Sequence, residues 1–176
     1  MTMLRVGHTA EIGERALTGS RELLYAVFDD MTEDDWEHAL GGVHAVLWEG
    51  DEVIGHASVV QRRLMHGGRT FRTGYVEGVG VRADRRGLGH GAMLMEAVEE
   101  VIARAFELGA LGATDDGLGF YTSRGWQSWR GVTSALTPTG VVRTPDEDGF
   151  ILVLPVAGGL DLDGEITCDW RGGDVW

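Results

Sequence analysis

Apolar and polar residues follow two different periods along this chain, and their alternation predicts a mixed α and β fold. Alternation over residues 4–9 predicts a first strand. Apolar side chains around Leu24 recur at helical spacing and predict a helix over 12–28. Thr32 stands three residues before Asp35, the pattern of a capped helix start, so a second helix is expected there.

The middle of the chain has the pattern of strands that turn back on one another. Turn residues such as Gly67 and Gly68 separate short runs rich in apolar residues, which predicts an antiparallel meander. The three predicted strands cover residues 44–48, 53–61 and 71–81.

A long amphipathic helix follows, because Leu94 and Val98 repeat at helical spacing, and Gly109 is expected to end it. Beyond it we expect a strand over 110–114, a helix over 118–124, strands over 126–136 and 150–156, and an irregular tail over 157–176. This order predicts a single α+β domain over residues 1–176, with a central mixed β-sheet flanked by helices.

Composition narrows the possible partners. The 176 residues include 15 Lys and Arg against 28 Asp and Glu, a formal net charge of −13. Such an excess of acid disfavours a nucleic-acid or anionic-membrane surface and favours a cationic partner, or serves only solubility. Cys168 is the single cysteine, so no intrachain disulfide is possible, and no apolar stretch approaches the ~20 residues of a membrane span. We therefore expect a cytoplasmic protein with no membrane or nucleic-acid partner.

The segment Arg86-Gly-Leu-Gly-His-Gly91 lies between a predicted strand and the long helix, where an anion could bind. Its glycines allow close backbone approach, and the first N–H groups of a helix lack internal partners and lie at the positive end of the dipole. The spacing matches neither the dinucleotide fingerprint nor a P-loop. A pyrophosphate cradle is predicted, with Arg82 and Arg85 expected to join Arg86 beside the anion; a turn without a ligand is the alternative.

Two glycines also interrupt the strand before this turn, in Glu77-Gly-Val-Gly-Val81. Glycine inside a strand marks a bulge or a close backbone approach. A bulge splays two strands and frees N–H groups, which could receive an extended, amide-bearing ligand.

These segments resemble the GNAT N-acetyltransferase superfamily, whose acetyl-coenzyme A signature is Q/R-x-x-G-x-G/A at a strand–loop–helix junction. From about Thr32 to the end, the chain is similar to the aminoglycoside 2′-N-acetyltransferases of actinobacteria. The segments that carry this second resemblance are 35–42, 61–64, 74–78, 81–84, 121–126, 138–140, 143–146 and 168–176.

The resemblance implies a GNAT-type domain that moves acetyl from acetyl-coenzyme A to the 2′-amino group of an aminoglycoside and so confers resistance. Direct attack in a ternary complex, a homodimer and no metal are also implied. The backbone of Val79 and Val81 would hold the pantetheine arm and polarise the thioester carbonyl. The pyrophosphate would be held by Arg86, Gly87, Gly89 and Gly91.

The reaction needs a base and an acid, because the amine is protonated at neutral pH and the leaving group is a thiolate. Glu77 is a candidate base, acting directly or through a water, and the terminal carboxylate of Trp176 is the second candidate. Tyr121 is the candidate acid. In the family the tail over 157–176 binds the acceptor.

A polycationic acceptor calls for carboxylates around its site. The family pattern selects four acids together with Trp176 as the substrate-binding set: Asp30, Asp35, Glu147 and Asp174. The histidines show no metal-ligand spacing, so no metal is expected. Two other functions stay open: the same transfer to another polycationic or amino-sugar metabolite, and a non-catalytic sensor that binds acyl-coenzyme A.

Overall fold

The computed structural model describes residues 1–156 and 158–176. The start of the tail predicted for 157–176 therefore lies outside the described residues. The chain divides into two compact units. The first contains Met1–Val60 and Val76–Arg104, and the second contains Gln61–Tyr75 and Ala105–Trp176. The expectation of one domain over 1–176 stays a prediction.

Ten strands and five α-helices are found in the described residues. In chain order they are β1 Thr2–His8, α1 Thr9–Ile12, α2 Glu14–Val27, α3 Glu33–His38, β2 Val43–Glu49, β3 Glu52–His66, β4 Arg69–Val81, α4 His90–Ala105, β5 Leu108–Gly112, α5 Asp115–Ser123, β6 Gln127–Ser128, β7 Thr133–Thr137, β8 Gly140–Arg143, β9 Ile151–Pro155 and β10 Ile166–Cys168. Strands and helices alternate as predicted, which confirms the α+β class.

In the first unit β1 pairs with β2 and β2 pairs with β3, both antiparallel. The predicted helix over 12–28 is divided between α1 and α2, because Gly13 between them has φ +95°, which is not a helical conformation. Leu24 of α2 is fully buried beside Trp36 and Ala39, so this helix covers the core of the unit.

The predicted helix start at Thr32 is confirmed. Thr32 accepts a hydrogen bond from the backbone N–H of Asp35 through its side chain, and the Asp35 carboxylate accepts one from the backbone N–H of Thr32. This capping box satisfies two N–H groups that the helix itself leaves without partners.

In the second unit the strand order is β6-β9-β5-β4-β3-β10-β7-β8. The β4–β5 and β10–β7 pairs are parallel and the β5–β9, β6–β9, β3–β10 and β7–β8 pairs are antiparallel, so the sheet is mixed, as predicted. The β4–β5 register ends at Tyr75 with Ala110, although β4 runs on to Val81. This limited pairing agrees with the expected splaying of the two strands.

Gly109 does not end the long helix, which stops at Ala105. Gly109 lies in the middle of β5, paired with Gly74 on one side and Leu154 on the other. Two strand neighbours satisfy its backbone, and this non-local pairing outweighs the helix-stopping tendency of glycine.

The second unit differs from the sequence-based expectations at three further places. The predicted strand over 126–136 is two strands, β6 and β7, separated by a close approach in which a Cβ on Gly131 would lie 1.9 Å from the Gly164 carbonyl oxygen. β8 was not predicted. The tail expected to be irregular contributes β10, which is inserted between β3 and β7.

Across the described parts of the chain, none of the helices has the length and apolar character needed to cross a membrane.

Candidate functional site

The glycine turn before α4 has the open geometry that an anion site requires. Gly87 and Gly89 have φ of +75° and +83°, and a Cβ on either would meet no atom within 4 Å. Gly91 lies in the first turn of α4, whose first N–H groups have no partner within the helix. Backbone N–H groups without helix partners, at the positive end of a sixteen-residue helix, favour a phosphate.

Two of the three arginines expected beside this anion are engaged elsewhere. Arg82 donates to Glu52 and to Asp84, each at 2.7 Å. Arg85 donates to Glu49 at 2.7 Å and to Asp84 at 2.8 Å. The expectation of three arginines beside the anion is therefore reduced to Arg86, because these carboxylates already neutralise Arg82 and Arg85.

Arg86 is the arginine of this turn that the structure leaves for a ligand. Its Nε donates to the carbonyl oxygen of Val81 at 3.2 Å, and no carboxylate pairs with it within the described residues. The guanidinium is exposed, so its remaining N–H groups face solvent. Arg86 is thus a free positive charge beside Gly87 and Gly89.

Gly78 has φ +55° inside β4, which agrees with the bulge predicted there. Left-handed glycine within a strand is the conformation of a glycine-type bulge. Gly78 and Gly80 also allow α2 to pack closely against β4. A Cβ would lie 2.9 Å from a Leu24 methyl group at Gly78 and 3.0 Å from the other at Gly80. Val79 and Val81, the predicted pantetheine contacts, are half-buried on the same segment.

Glu77, the candidate base, is half-buried immediately before the bulge. Its backbone carbonyl accepts a hydrogen bond from Ser58 Oγ at 3.4 Å. Asp30 and Asp35 belong to the same unit. Asp30 is exposed after α2, whereas one oxygen of Asp35 accepts from the Thr32 hydroxyl and N–H at 2.7 Å and 2.8 Å. The roles assigned to these three acids stay predictions.

Tyr121, the candidate acid, lies in α5 of the second unit. Burial raises the pKa of its phenol to about 12, so the group stays protonated at neutral pH. The ring makes edge-on contacts with Phe120 and Trp126, at centroid distances of 5.1 Å and 6.4 Å. A neutral phenol held by two rings has the protonation state that an acid needs.

The C-terminal residue is docked. Trp176 is 5% exposed, its indole Nε1 donates to Thr144 Oγ1 at 2.9 Å, and its backbone N–H donates to Asp174 Oδ1 at 3.1 Å. Arg171 donates to the terminal carbonyl oxygen of Trp176 at 2.7 Å. The terminal carboxylate, the second candidate base, therefore carries a guanidinium partner.

Arg62 binds the tail from β3, and sequence reasoning missed it. Its Nε donates to Asp169 Oδ1 and its Nη2 to the carbonyl oxygens of Asp169 and Val175, at 2.8, 2.8 and 2.7 Å. The guanidinium lies 4.8 Å from the centroid of the Tyr75 ring. The available signal was the alternation of β3, which places Arg62 on the same side as the buried Leu64.

Glu147 differs from the other acids near the tail. Burial raises the pKa of its carboxyl, and the nearby carboxylates of Asp174 and Asp146 raise it further. Asp148, by contrast, has its pKa lowered by the Arg143 guanidinium and by Thr133. A half-buried carboxylate surrounded by like charge is stabilised when a cation binds beside it.

Cys168 is fully buried and its thiol donates to the Val175 carbonyl oxygen at 3.2 Å. Burial raises the pKa of this thiol to about 11. The protonated thiol is a poor nucleophile, so Cys168 is not suited to carry an acyl group. No cluster of three or more His, Cys, Asp or Glu that could hold a metal ion occurs within 1–156 and 158–176.

Comparison with known proteins adds a family and a relative. The model of the acetyltransferase (GNAT) family matches residues 14–126. A curated relative from Mycolicibacterium fortuitum, named aminoglycoside 2′-N-acetyltransferase, is 49% identical over 98% of this chain and 91% of its own length.

Solved structures share the fold at low identity. A GNAT family N-acetyltransferase (YhbS) of Escherichia coli in complex with CoA has a TM-score of 0.66 at 15% identity, covering 94% of this chain and 88% of its own. A GNAT family acetyltransferase of Brucella melitensis in complex with acetyl-CoA has a TM-score of 0.65 at 15% identity, covering 98% and 97%.

Proposed function

The chain belongs to the acetyltransferase (GNAT) family, and from this premise we propose that it moves acetyl from acetyl-coenzyme A to the 2′-amino group of an aminoglycoside. The observation that carries the acceptor class is the 49% identity, over 98% of the chain, to a protein named for that reaction. Two GNAT structures of the same fold hold coenzyme A or acetyl-coenzyme A, which supports the donor.

Acetyl-coenzyme A would bind along the bulge and the glycine turn of the first unit. The open turn at Gly87 and Gly89, the first turn of α4 at Gly91, and the unpaired charge of Arg86 support a role in holding the pyrophosphate. The backbone of Val79 and Val81 would bind the amide-bearing pantetheine arm and polarise the thioester carbonyl.

The transfer forms an N–C bond and breaks a C–S bond in one ternary complex. The amine attacks the thioester carbonyl carbon, Glu77 takes the proton that the ammonium must lose, and the departing sulfur receives a proton from Tyr121. The raised pKa of the Tyr121 phenol supports this role, because the group is protonated before the reaction. The raised pKa of Cys168 supports direct attack over an acetyl-enzyme.

The acceptor would be bound through its ammonium groups. Glu147 and Asp174 in the second unit, and Asp30 and Asp35 in the first, are the proposed partners, with the docked Trp176. The mutual repulsion of Glu147 and Asp174 supports this assignment, since a cation would relieve it. Resistance to the antibiotic would follow from neutralising an amine.

A thiol-release assay tests the proposal with aminoglycosides that differ in having an amine or a hydroxyl at the 2′ position. We expect coenzyme A release only with the amine, kcat/KM above ~10⁴ M⁻¹s⁻¹, and an acetyl group on the 2′ nitrogen by NMR. Turnover confined to other amino sugars would make the acceptor wrong. Binding of acetyl-coenzyme A with no turnover on any amine would instead indicate a sensor.

A matched pair of variants tests the acceptor residues. Glu147→Gln should raise KM for the aminoglycoside by about 10-fold, because a charged hydrogen bond to an ammonium is lost. Asp163→Asn is the control, since Asp163 is already paired with Arg130 at 2.7 Å. Equal KM values in both variants would remove Glu147 from the binding set.

The predicted homodimer and cytoplasmic location stay predictions. Light scattering on the purified protein tests the first, since a dimer has twice the 19.1 kDa mass of the chain.

A further inference from the structure

A chain of hydrogen bonds runs through the interior of the first unit and ends on the bulge. Thr9 Oγ1 lies 2.8 Å from His44 Nε2, His44 Nδ1 lies 3.0 Å from His56 Nε2, and His56 Nδ1 lies 2.7 Å from the Gly78 carbonyl oxygen. We call these two histidines, His44 on β2 and His56 on β3, the histidine pair. The role described above for the bulge does not account for it.

The histidine pair is sealed from water. Both side chains are 0% exposed, and the indole of Trp36 packs against both rings at centroid distances of 6.5 Å and 6.1 Å. Burial lowers the pKa of His44 to about 4 and that of His56 to about 3. Both imidazoles are therefore neutral at pH 7, and each carries one N–H.

The carbonyl at the end of the chain determines every proton position. Because the Gly78 oxygen can only accept, His56 must carry its proton on Nδ1 and accept on Nε2. His44 must then carry its proton on Nδ1 and accept at Nε2 from the Thr9 hydroxyl. The Thr9 oxygen in turn accepts from the Gly41 backbone N–H at 2.9 Å.

This arrangement cannot deliver a proton to a substrate, since a peptide carbonyl is not a proton acceptor under working conditions. What it does fix is the orientation of one peptide plane. In a trans peptide the carbonyl of residue i and the N–H of residue i+1 point in opposite directions. Holding the Gly78 carbonyl on His56 therefore turns the Val79 N–H away from the histidine pair.

We infer that the histidine pair is a positioning device for acetyl transfer: it holds the Gly78–Val79 peptide so that the Val79 N–H is preset to polarise the thioester carbonyl. This inference rests on the proposed function. His56 is the positioning residue, and His44 fixes its tautomer. A glycine with φ +55° can change its backbone dihedrals easily, so the peptide needs such an anchor.

Three substitutions at one position separate positioning from packing. The amide nitrogen of Asn can occupy the place of Nδ1, that of Gln the place of Nε2, and Phe fills the volume with no donor. His56→Phe and His56→Gln should lower kcat ~10–100-fold with KM for acetyl-coenzyme A changed less than ~3-fold, as for a misplaced transition-state contact. His56→Asn should restore kcat to within ~3-fold of the natural enzyme.

The control is His66→Phe, because His66 Nδ1 also bonds a backbone carbonyl, that of Glu165 at 2.8 Å, but in the second unit. We expect its kcat to be unchanged. If His56→Phe keeps the kcat of the natural enzyme, or His56→Asn is as slow as His56→Phe while folded, the inference is wrong. If the natural enzyme itself shows no turnover, the proposed function fails instead.

A measurement on the unaltered protein decides the matter if the variants do not fold. Nitrogen-15 NMR of the imidazole rings at pH 7 should show both histidines protonated at Nδ1 and bare at Nε2, with the Nδ1 proton of His56 protected from exchange. A proton on His56 Nε2 would overturn the inference, since the Gly78 carbonyl would then have no donor.

Discussion

Mild acid should destabilise this protein strongly, because its histidine pair must stay neutral in the folded state. The unfolded chain exposes both imidazoles with the ordinary pKa of about 6.5. Burial lowers the folded pKa values of His44 and His56 to about 4 and about 3. Below pH 6.5 the unfolded state therefore binds more protons than the folded state, and stability falls as the pH falls.

The size of the loss follows from the linkage relation. Between pH 7.5 and pH 5 each buried histidine should remove about 2 kcal/mol from the free energy of unfolding, so the pair removes about 4 kcal/mol. Both folded pKa values lie below pH 5, so the result depends little on their magnitude. Lowered carboxyl pKa values, such as that of Asp148, act below this window, because the unfolded carboxyl titrates near pH 3.8.

Urea unfolding at pH 7.5 and pH 5, followed by tryptophan fluorescence, measures the difference. A double variant, His44→Gln with His56→Asn, keeps two amides in the core but removes both titrating groups. It should lose less than about 1 kcal/mol over the same interval. If the natural protein also loses less than about 1 kcal/mol, or the double variant loses as much as the natural protein, the buried neutral pair is refuted.

Four further outcomes are expected. Tyr121→Phe should lower kcat ~100-fold with little change in KM for the acceptor, and unchanged turnover in steady-state kinetics would remove Tyr121 as the acid. Deletion of residues 174–176 should abolish turnover while calorimetry still detects acetyl-coenzyme A, and an active truncated enzyme would remove the tail from the reaction. Gly42→Ala should cost about 1–3 kcal/mol in urea unfolding, because its Cβ would lie 2.1 Å from the Val59 carbonyl oxygen. Gly119→Ala, in open space on α5, should stabilise by up to about 1 kcal/mol, and equal effects of the two changes would contradict the packing.

Patterns that carry their own local chemistry were readable from the sequence. The capping box at Thr32 and the glycine turn at Gly87 and Gly89 depend on residues a few positions apart, and the structure has both. Elements that exist only through distant partners were not readable. β10 has three residues and forms because β3 and β7 supply its hydrogen bonds, so it has too few positions to show alternation.

The same distinction between local signals and contacts of distant residues applies to the candidate site. The bulge at Gly78 was predicted from two glycines in one strand, a local signal. The pairing of Arg85 with Glu49 was not predicted, because the two residues are 36 positions apart and only the folded chain brings the turn after β4 to the end of β2. The bonds from Arg62 to Val175, and from His56 to Gly78, were missed for the same reason.

The central claim is that backbone amides of the bulge and the glycine turn hold acetyl-coenzyme A. Titration of nitrogen-15-labelled protein with this molecule, followed by amide NMR, tests it most directly. The account predicts the largest shifts at Val79, Val81, Gly87 and Gly89. Saturation without shifts at these four amides, or no shifts anywhere at millimolar concentration, would contradict it.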